Sequence, residues 1–417
     1  MSKRRAIMPP ARGSARGRQP SQAAGGPDSG VEDSANRTLL PPGLADGLPP
    51  DAAFEVATIE RLMATLAGHG YDRVKPPLIE FEDSLLAGSG AAMAADTFRL
   101  MDPISQKMLA LRPDMTLQIG RIAAARLKGM PRPLRLSYSG QVLRVRGSSL
   151  RPARQFGQVG AELIGSDSPL ADGEAIRVAV DALSAIGIGE ISVDLGLPTL
   201  VPAIARGLGL DGEALKPLRA ALDRKDATQV GAMGQRLGRD GAKVFRELLA
   251  AAGPLERALD RLSGLTLPPE AASERAALVR VAAAVRAAAP DLDITLDPVE
   301  NRGFEYHTGV TTAFFARRVR GELGRGGRYR VGFDAATAEP ATGFTLFMDT
   351  VFAAVPKPTP PTRLFVPRGT TDAEARRFRA DGWIVVAGLD PAPNAEAEAR
   401  RLGCTHVLRG GSAHPLA

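Results

Sequence analysis

The sequence predicts an α+β protein that combines a sheet of short antiparallel strands, a helical insertion and a small α/β appendage at the C-terminal end. Three observations predict this class. Short apolar runs bounded by glycine and proline occur before residue 200 and again after residue 290. The stretch between them is rich in alanine, leucine and arginine, with apolar residues at helical spacing. Parallel crossover units are few, which favours an α+β sheet.

Composition excludes several classes of protein. With 417 residues the chain has room for about three structural units, and 44% hydrophobic with 24% charged residues excludes wholesale disorder and a fibrous architecture. A single cysteine, Cys404, cannot form an internal disulfide or a thiolate metal site, and the four histidines are not clustered. We therefore expect no metal and no cofactor. Without a membrane-length apolar run or a secretory signal, we expect a cytoplasmic protein with no membrane contact.

The positive charge is concentrated at the N-terminal end. The net charge is +7, yet residues 1–37 hold seven basic and only three acidic side chains. This segment is rich in glycine, proline, serine and alanine and cannot bury enough surface to offset its ordering entropy. We predict a disordered basic tail over residues 1–38. An inert solvated tail and a tail that contacts an acidic partner both stay open.

Residues 39–200 alternate helix and strand signals. The predicted elements are a helix over 52–67, a strand from Tyr71 broken at Pro76-Pro77, a hairpin over 97–113, a helix over 115–127 capped by Asp114, and strands over 134–145 and 155–164. The strand character returns over 292–315 and 343–352.

The domain organisation follows from these elements. Residues 39–200 and 291–352 form the core, residues 201–290 form the helical insertion, and residues 353–417 form a proline-rich linker with the small α/β domain.

Polar side chains interrupt the apolar strand over 155–164. Gln158 and Glu162 are four residues apart, so both point to the same face of the sheet. A carboxylate beside an amide can hold an ammonium or imidazole group. A solvated face of the sheet is the plainer interpretation of the residues alone.

Two further clusters carry polar chemistry. The run Glu300-Asn-Arg-Gly-Phe-Glu-Tyr-His-Thr-Gly brings together a guanidinium, a carboxylate, a phenol and an imidazole, which suits either a polar pocket or a structural His307 beside Tyr306. The run from Arg317 to Arg330 combines arginine and glycine, which suits a phosphate or carboxylate but is also typical of a solvated loop.

Together these segments resemble the class II aminoacyl-tRNA synthetase core, and within it histidyl-tRNA synthetase. The resemblance is carried by Leu111-Arg-Pro-Asp-Met-Thr, by Tyr138 to Glu162, by Arg302-Gly-Phe-Glu-Tyr-His and by Gly326-Gly-Arg-Tyr. It implies a histidine pocket in which Asp114 and Thr116 receive the α-amino group, Glu162 and Tyr306 the imidazole, and Gln158 and Arg302 complete the polar rim. It also implies an anion site, formerly for ATP, at Arg144.

The departures from the synthetase pattern fall on the ATP side. Arg146 replaces the acid that engages adenine, Phe347 and Thr350 replace the glycine and arginine of motif 3, and Arg330 replaces the aspartate after Gly-Gly-Arg-Tyr. Since a charge-assisted hydrogen bond contributes roughly 1.5–3 kcal/mol, losing a cation from a triphosphate site should weaken ATP binding strongly. We therefore expect no catalytic residues, and no tRNA binding by the short C-terminal segment.

A synthetase-like core that keeps its amino-acid pocket resembles the regulatory subunits of ATP phosphoribosyltransferase. That resemblance implies a non-catalytic chain that activates the short-form catalytic subunit in the first step of histidine biosynthesis, with histidine as the feedback effector. It also implies a homodimer within a hetero-octamer. A divergent histidyl-tRNA synthetase and a stand-alone sensor of histidine or tRNA stay open, as does whether histidine binds this chain, the catalytic chain or their interface.

Overall fold

Short strands form the framework of the fold, which is described by a computed structural model for residues 39–148, 151–210, 212–300, 306–332 and 336–416. The predicted tail over residues 1–38 lies outside the described residues. The strands are β1 (Asp72–Arg73), β2 (Ile79–Phe81), β3 (Arg99–Met101), β4 (Met108–Leu111), β5 (Leu134–Leu143), β6 (Gln155–Ile164), β7 (Ile191–Gly196), β8 (Gly253–Pro254), β9 (Asp293–Asp297), β10 (Thr311–Ala316), β11 (Gly324–Val331), β12 (Glu339–Phe347), β13 (Arg363–Val366), β14 (Ile384–Ala387), β15 (His406–Arg409) and β16 (Ser412–Pro415).

Helices cover the sheet and fill the stretch between β7 and β9. The α-helices are α1 (Asp51–Gly68), α2 (Glu82–Leu85), α3 (Thr116–Ala125), α4 (Pro169–Ala185), α5 (Leu200–Gly207), α6 (Gly212–Asp223), α7 (Ala227–Ala232), α8 (Gly234–Ala251), α9 (Leu255–Ser263), α10 (Pro269–Ala288), α11 (Met348–Ala354), α12 (Asp372–Ala380) and α13 (Ala395–Arg401). A 3₁₀ segment covers Gly88–Asp96. None of the helices in the described part of the chain is long and apolar enough to cross a membrane.

The described strands pair into three sheets. The largest has nine strands in the order β1-β5-β6-β12-β11-β10-β7-β9-β8, and its central neighbours from β5 to β7 are all antiparallel. The sheet β2-β4-β3 contains the predicted hairpin, in which Met101 pairs with Met108. A mixed sheet, β14-β13-β15-β16, forms the C-terminal segment. The predicted α+β class, built on an antiparallel core sheet, is confirmed.

The two faces of the large sheet pack into different hydrophobic clusters. Side chains alternate along β6, so Val159 and Ala161 join the larger cluster with α1 and α4, whereas Phe156 and Ile164 join the smaller cluster with α3. Helices α5–α10 contribute to the larger cluster, with Phe245 fully buried in it. Burying one such side chain stabilises the fold by about 1.5–3 kcal/mol.

Helix ends explain why several boundaries are where they are. Ser168 accepts the backbone N–H of Leu170 and a proline occupies the first turn of α4. Thr371 and Glu374 form a reciprocal capping box at α12. The predicted cap Asp114 is wrong by one residue, because Met115 occupies the cap position of α3. The Asp114 carboxylate instead accepts the N–H of Thr116 at 2.9 Å.

The arginine- and glycine-rich run contains a strand. Interpreting all of it as a solvated loop is wrong for β11, which lies between β10 and β12. Gly326 is required there because a Cβ atom would overlap the carbonyl oxygen of Gly343 on β12. Glycine thus permits β11 and β12 to approach closely. The glycine content that suggested a loop is explained by this approach of the two strands.

Candidate functional site

A cavity of about 410 Å³ opens on the α3 face of the large sheet. It brings together residues that are far apart in the sequence, from α3, β6, β11, β12 and the segment after β5. Five of the predicted site residues line it: Asp114, Thr116, Arg144, Glu162 and Tyr306. Glu162, opposite Gly343 on β12, marks one end of the cavity, which we call the acidic end. Phe347, four residues farther along β12, marks the other, the arginine end, where Arg151 and Arg325 lie near its ring.

Glu162 is the centre of the acidic end. It is only 1% exposed, and its two carboxylate oxygens accept hydrogen bonds from the hydroxyls of Tyr138, at 3.2 Å, and Tyr329, at 2.9 Å. Burial raises the pKa of Glu162 to about 8, outweighing the opposite effect of the tyrosine hydrogen bonds. Around neutral pH the carboxyl group therefore keeps its proton unless a cation enters the cavity.

The neighbouring strand leaves room for this carboxyl group. Gly343 on β12 is the register partner of Glu162 on β6. A Cβ atom at Gly343 would overlap the Glu162 carboxylate and the carbonyl oxygen of Ala161. The glycine therefore decides whether a carboxylate fits between the two strands.

The tyrosines that flank Glu162 belong to a wider hydrogen-bond network. The hydroxyl of Tyr138 also lies 2.7 Å from Thr345 Oγ1 and 3.2 Å from Thr116 Oγ1. Burial raises the pKa of both Tyr138 and Tyr329, so their hydroxyls remain protonated. Sequence reasoning had not selected Tyr329 or Thr345. What could have drawn attention to them is that each places a hydroxyl group on an otherwise buried strand residue.

Asp114 is held in position by a fully buried amide. Gln158 Nε2 donates to Asp114 Oδ2 at 2.8 Å, while Gln158 Oε1 accepts the N–H of Met115 at 3.0 Å. The Gln158 side chain therefore uses both ends of its amide on the segment that carries Asp114. Gln158 does not itself line the cavity, where it was predicted to form part of the rim, and instead orients Asp114.

Arg112 anchors the same segment. This 7% exposed guanidinium donates from Nε to the carbonyl of Gln141 at 2.8 Å and from Nη1 to that of Pro76 at 3.1 Å. Gly140 leaves space for it, since a Cβ atom there would overlap the guanidinium. The break at Pro76-Pro77 and the predicted motif around Asp114 are thus joined by one buried arginine, which sequence reasoning had passed over.

The second predicted cluster is only partly described. Tyr306 lines the cavity at 38% exposure, with its ring centroid 4.1 Å from that of His307 and 6.1 Å from that of Tyr329. His307 is buried and also lines the cavity. This arrangement favours the polar-pocket interpretation over a purely structural histidine. The predicted Arg302 lies outside the described residues.

Arginines define the opposite end of the cavity. Arg144 is half-buried, and its Nε donates to the carbonyl of Pro113 at 3.2 Å. Burial lowers its pKa, an effect opposed by the negative charge of Asp114. Arg151 and Arg325 line the same end beside Phe347, which is 4% exposed.

Of the other departures from the synthetase pattern, Arg330 lines the cavity at the far end of β11 and Arg146 does not line it. Arg146 is largely exposed and pairs with Asp96 at 3.5 Å, while Arg330 reaches the carbonyl of Ala338.

Comparison with known proteins agrees with this geometry. The family model described as histidyl-tRNA synthetase matches residues 43–351. The chain is 57% identical over 378 residues to the ATP phosphoribosyltransferase regulatory subunit of Paramagnetospirillum magneticum, covering 91% of this chain and 98% of that protein. It is 51% identical over 375 residues to the protein of the same name from Rhodospirillum rubrum, covering 90% and 96%.

Solved structures share the fold. A Bacillus halodurans structure, titled an ATP phosphoribosyltransferase regulatory subunit/histidyl-tRNA synthetase, superposes with a TM-score of 0.75 at 25% identity, covering 87% of this chain and 96% of that one. Histidyl-tRNA synthetase from Nostoc gives a TM-score of 0.73 at 18% identity, covering 89% and 91%, which speaks for the fold alone.

Proposed function

The chain belongs to the family of ATP phosphoribosyltransferase regulatory subunits, built on the histidyl-tRNA synthetase fold, and on that premise we propose how it works. It assembles with the short-form catalytic subunit of the first step of histidine biosynthesis, raises the activity of that subunit, and takes part in feedback inhibition by histidine. We propose that it does so in the cytoplasm, as a homodimer within a hetero-octamer, and without adenylation or tRNA binding of its own.

The observation that carries the histidine proposal is the buried Glu162 between two tyrosine hydroxyls. A carboxyl group with a raised pKa gains most from a ligand that can take its proton, and an imidazole with a pKa of about 6.5 is such a ligand. We assign the imidazole to Glu162 and Tyr306.

The remaining groups of histidine find complementary partners in the same cavity. Asp114 and Thr116 would receive the α-amino group, with Gln158 orienting Asp114. Arg144, whose Nε donates to the carbonyl of Pro113 next to Asp114, is a candidate partner for the α-carboxylate. Arg302 remains a predicted rim residue.

Feedback requires that histidine discriminate between two states of the assembly, because an effector shifts an equilibrium only through its differential affinity for the two states. A ligand that becomes enclosed between β6, β12 and α3 is suited to this task, since β6 and β12 are neighbours in the large sheet and α3 packs on it. We propose that histidine in this cavity favours the inhibited assembly.

The first test measures phosphoribosyltransferase activity of the catalytic subunit with and without this chain, across a histidine titration. We expect activity to rise on mixing and to fall with histidine. Unchanged rates and unchanged inhibition would refute the regulatory role. A histidine-dependent ATP–pyrophosphate exchange, the reaction of the disfavoured synthetase alternative, should be absent.

The second test assigns the site by calorimetric titration of histidine into the full chain. We expect E162A to lose binding and E174Q to bind as the wild type does. Glu174 is the matched control because it pairs with Arg135 at 2.6 Å and does not line the cavity. Equal binding by wild type and E162A would contradict the assignment even if the regulatory role holds.

A further inference from the structure

The arginine end of the cavity contains an aromatic corner that is already filled. The rings of Phe156 and Phe347 meet edge to face with centroids 6.3 Å apart. The Arg151 guanidinium carbon lies 4.0 Å from the Phe347 centroid and 5.0 Å from that of Phe156. Arg144 and Arg325 lie farther out, at 5.2 Å from Phe156 and 5.9 Å from Phe347. Arg151 is therefore the cation that covers both rings.

Arg151 is fixed in this corner by the start of α11. Its Nε donates to Asp349 Oδ2 at 2.7 Å, and its Nη2 lies 3.5 Å from Thr350 Oγ1. The Arg151 side chain is 17% exposed and that of Asp349 is 27% exposed, so the pair is largely withdrawn from water. Such a pair resists separation because removing one partner leaves the other charge poorly solvated.

The groups around Arg151 are those that recognise a flat aromatic anion. A guanidinium is itself planar and stacks on aromatic faces, so it occupies the place that a nucleobase would take. Without it, two aromatic faces would be available for stacking, and Arg144 and Arg325 would stand beside them as donors for a phosphate. Glu162 lies apart from this corner, since its register partner Gly343 is four residues along β12 from Phe347.

We propose that Arg151, held by Asp349, is a specificity-determining residue that fills the aromatic corner of the cavity and so excludes purine nucleotides. Ligands then enter only the part of the cavity that Arg151 leaves open, which includes Asp114, Arg144 and Glu162. This inference does not rest on the proposed regulatory function, because it concerns what the chain itself excludes.

The test removes the guanidinium without changing the net charge. Arg151→Ala alone would leave the Asp349 carboxylate to repel an anion, so the test variant is R151A/D349N. The matched control is R177A/D181N, which removes another arginine–aspartate pair, 2.9 Å apart on α4, whose two residues do not line the cavity. The probe is AMP, and its binding to the full chain is measured by equilibrium dialysis.

We expect R151A/D349N to bind AMP at least tenfold more tightly than the wild type and the control. Adding F156L should return the affinity to the wild-type level, because the gain depends on stacking. R151Q/D349N, which keeps part of the side-chain volume, should show a smaller gain in the same direction and serves if the first variant fails to fold.

Two results would overturn the proposal. They are folded variants that bind AMP no more tightly than the wild type, and a gain that persists with F156L. Histidine titration of the wild type keeps the outcomes separate, since a wild type that does not bind histidine would contradict the proposed histidine site and leave the AMP comparison intact.

Discussion

Replacing Glu162 by glutamine should change how the stability of the chain depends on pH. The folded-state pKa of about 8 lies above the ordinary value of 4.5, so the folded chain holds the proton more tightly than the unfolded chain does. Stability from this group is therefore fully present below pH 4.5 and is lost as the pH rises toward 8. At about 1.4 kcal/mol per pH unit, the full loss is on the order of 5 kcal/mol.

Glutamine cannot ionise, and the hydroxyls of Tyr138 and Tyr329 can reorient to satisfy its amide. The free energy of unfolding of E162Q minus that of the wild type should therefore increase with pH, by about 3 kcal/mol between pH 5.5 and 8.5. Urea unfolding followed by circular dichroism measures this difference. The single Trp383 follows α12 in the C-terminal segment, so its fluorescence would not report on the cavity.

Glu174 provides a control of opposite sign. The hydrogen bond from Arg135 lowers the pKa of Glu174, so its contribution is present above the ordinary carboxyl pKa and is lost only as the solution becomes acidic. The stability difference between E174Q and the wild type should be flat from pH 5.5 to 8.5. If the curves of E162Q and the wild type also run parallel over this range, Glu162 does not hold a proton in the folded chain and the reasoning fails.

Three further predictions concern the same region. Histidine binding should release about one proton at pH 5.5, where both Glu162 and the free imidazole are protonated, and should take up a proton above pH 8, as calorimetry in buffers of different ionisation enthalpy will measure. G343A should lower the free energy of unfolding by about 1–3 kcal/mol or more through overpacking and weaken histidine binding, whereas G68A, with open space around the new methyl group, should not. R328M should cost about 3–5 kcal/mol at neutral pH because it strands the buried Asp172, which Arg328 contacts at 2.7 Å. Urea unfolding at pH 7 measures the stability cost of G343A and that of R328M. A cost below 1 kcal/mol for R328M would contradict the prediction for that variant.

Local sequence patterns predicted strands and turns well where a single feature, such as strand periodicity or a turn dipeptide, determined the structure. The period of a strand was enough to place Gln158 and Glu162 on one face, and a hairpin turn was enough to pair β3 with β4. The pattern could not say whether that face is solvated or covered. It is covered, because α3 packs over the smaller hydrophobic cluster on that face.

Long-range register explains most of what the sequence did not reveal. Tyr329 reaches Glu162 across β12, although 167 positions separate them in the chain. No local pattern fixes which residue of one strand faces which residue of another. The strand β11 was also obscured by its composition, since glycine and arginine are not typical of strands unless a close backbone approach requires them.

Strand β6 serves both faces of the large sheet at once, and this has a mechanical consequence. Its even-numbered side chains, Gln158 and Glu162, support the cavity, while the intervening Val159 and Ala161 are embedded against α1 and α4. Because protein interiors are close-packed, a strand that shifts on one side must disturb its packing on the other. A ligand that shifts β6 on entering the cavity would therefore also displace Val159 and Ala161 against the helices behind the sheet.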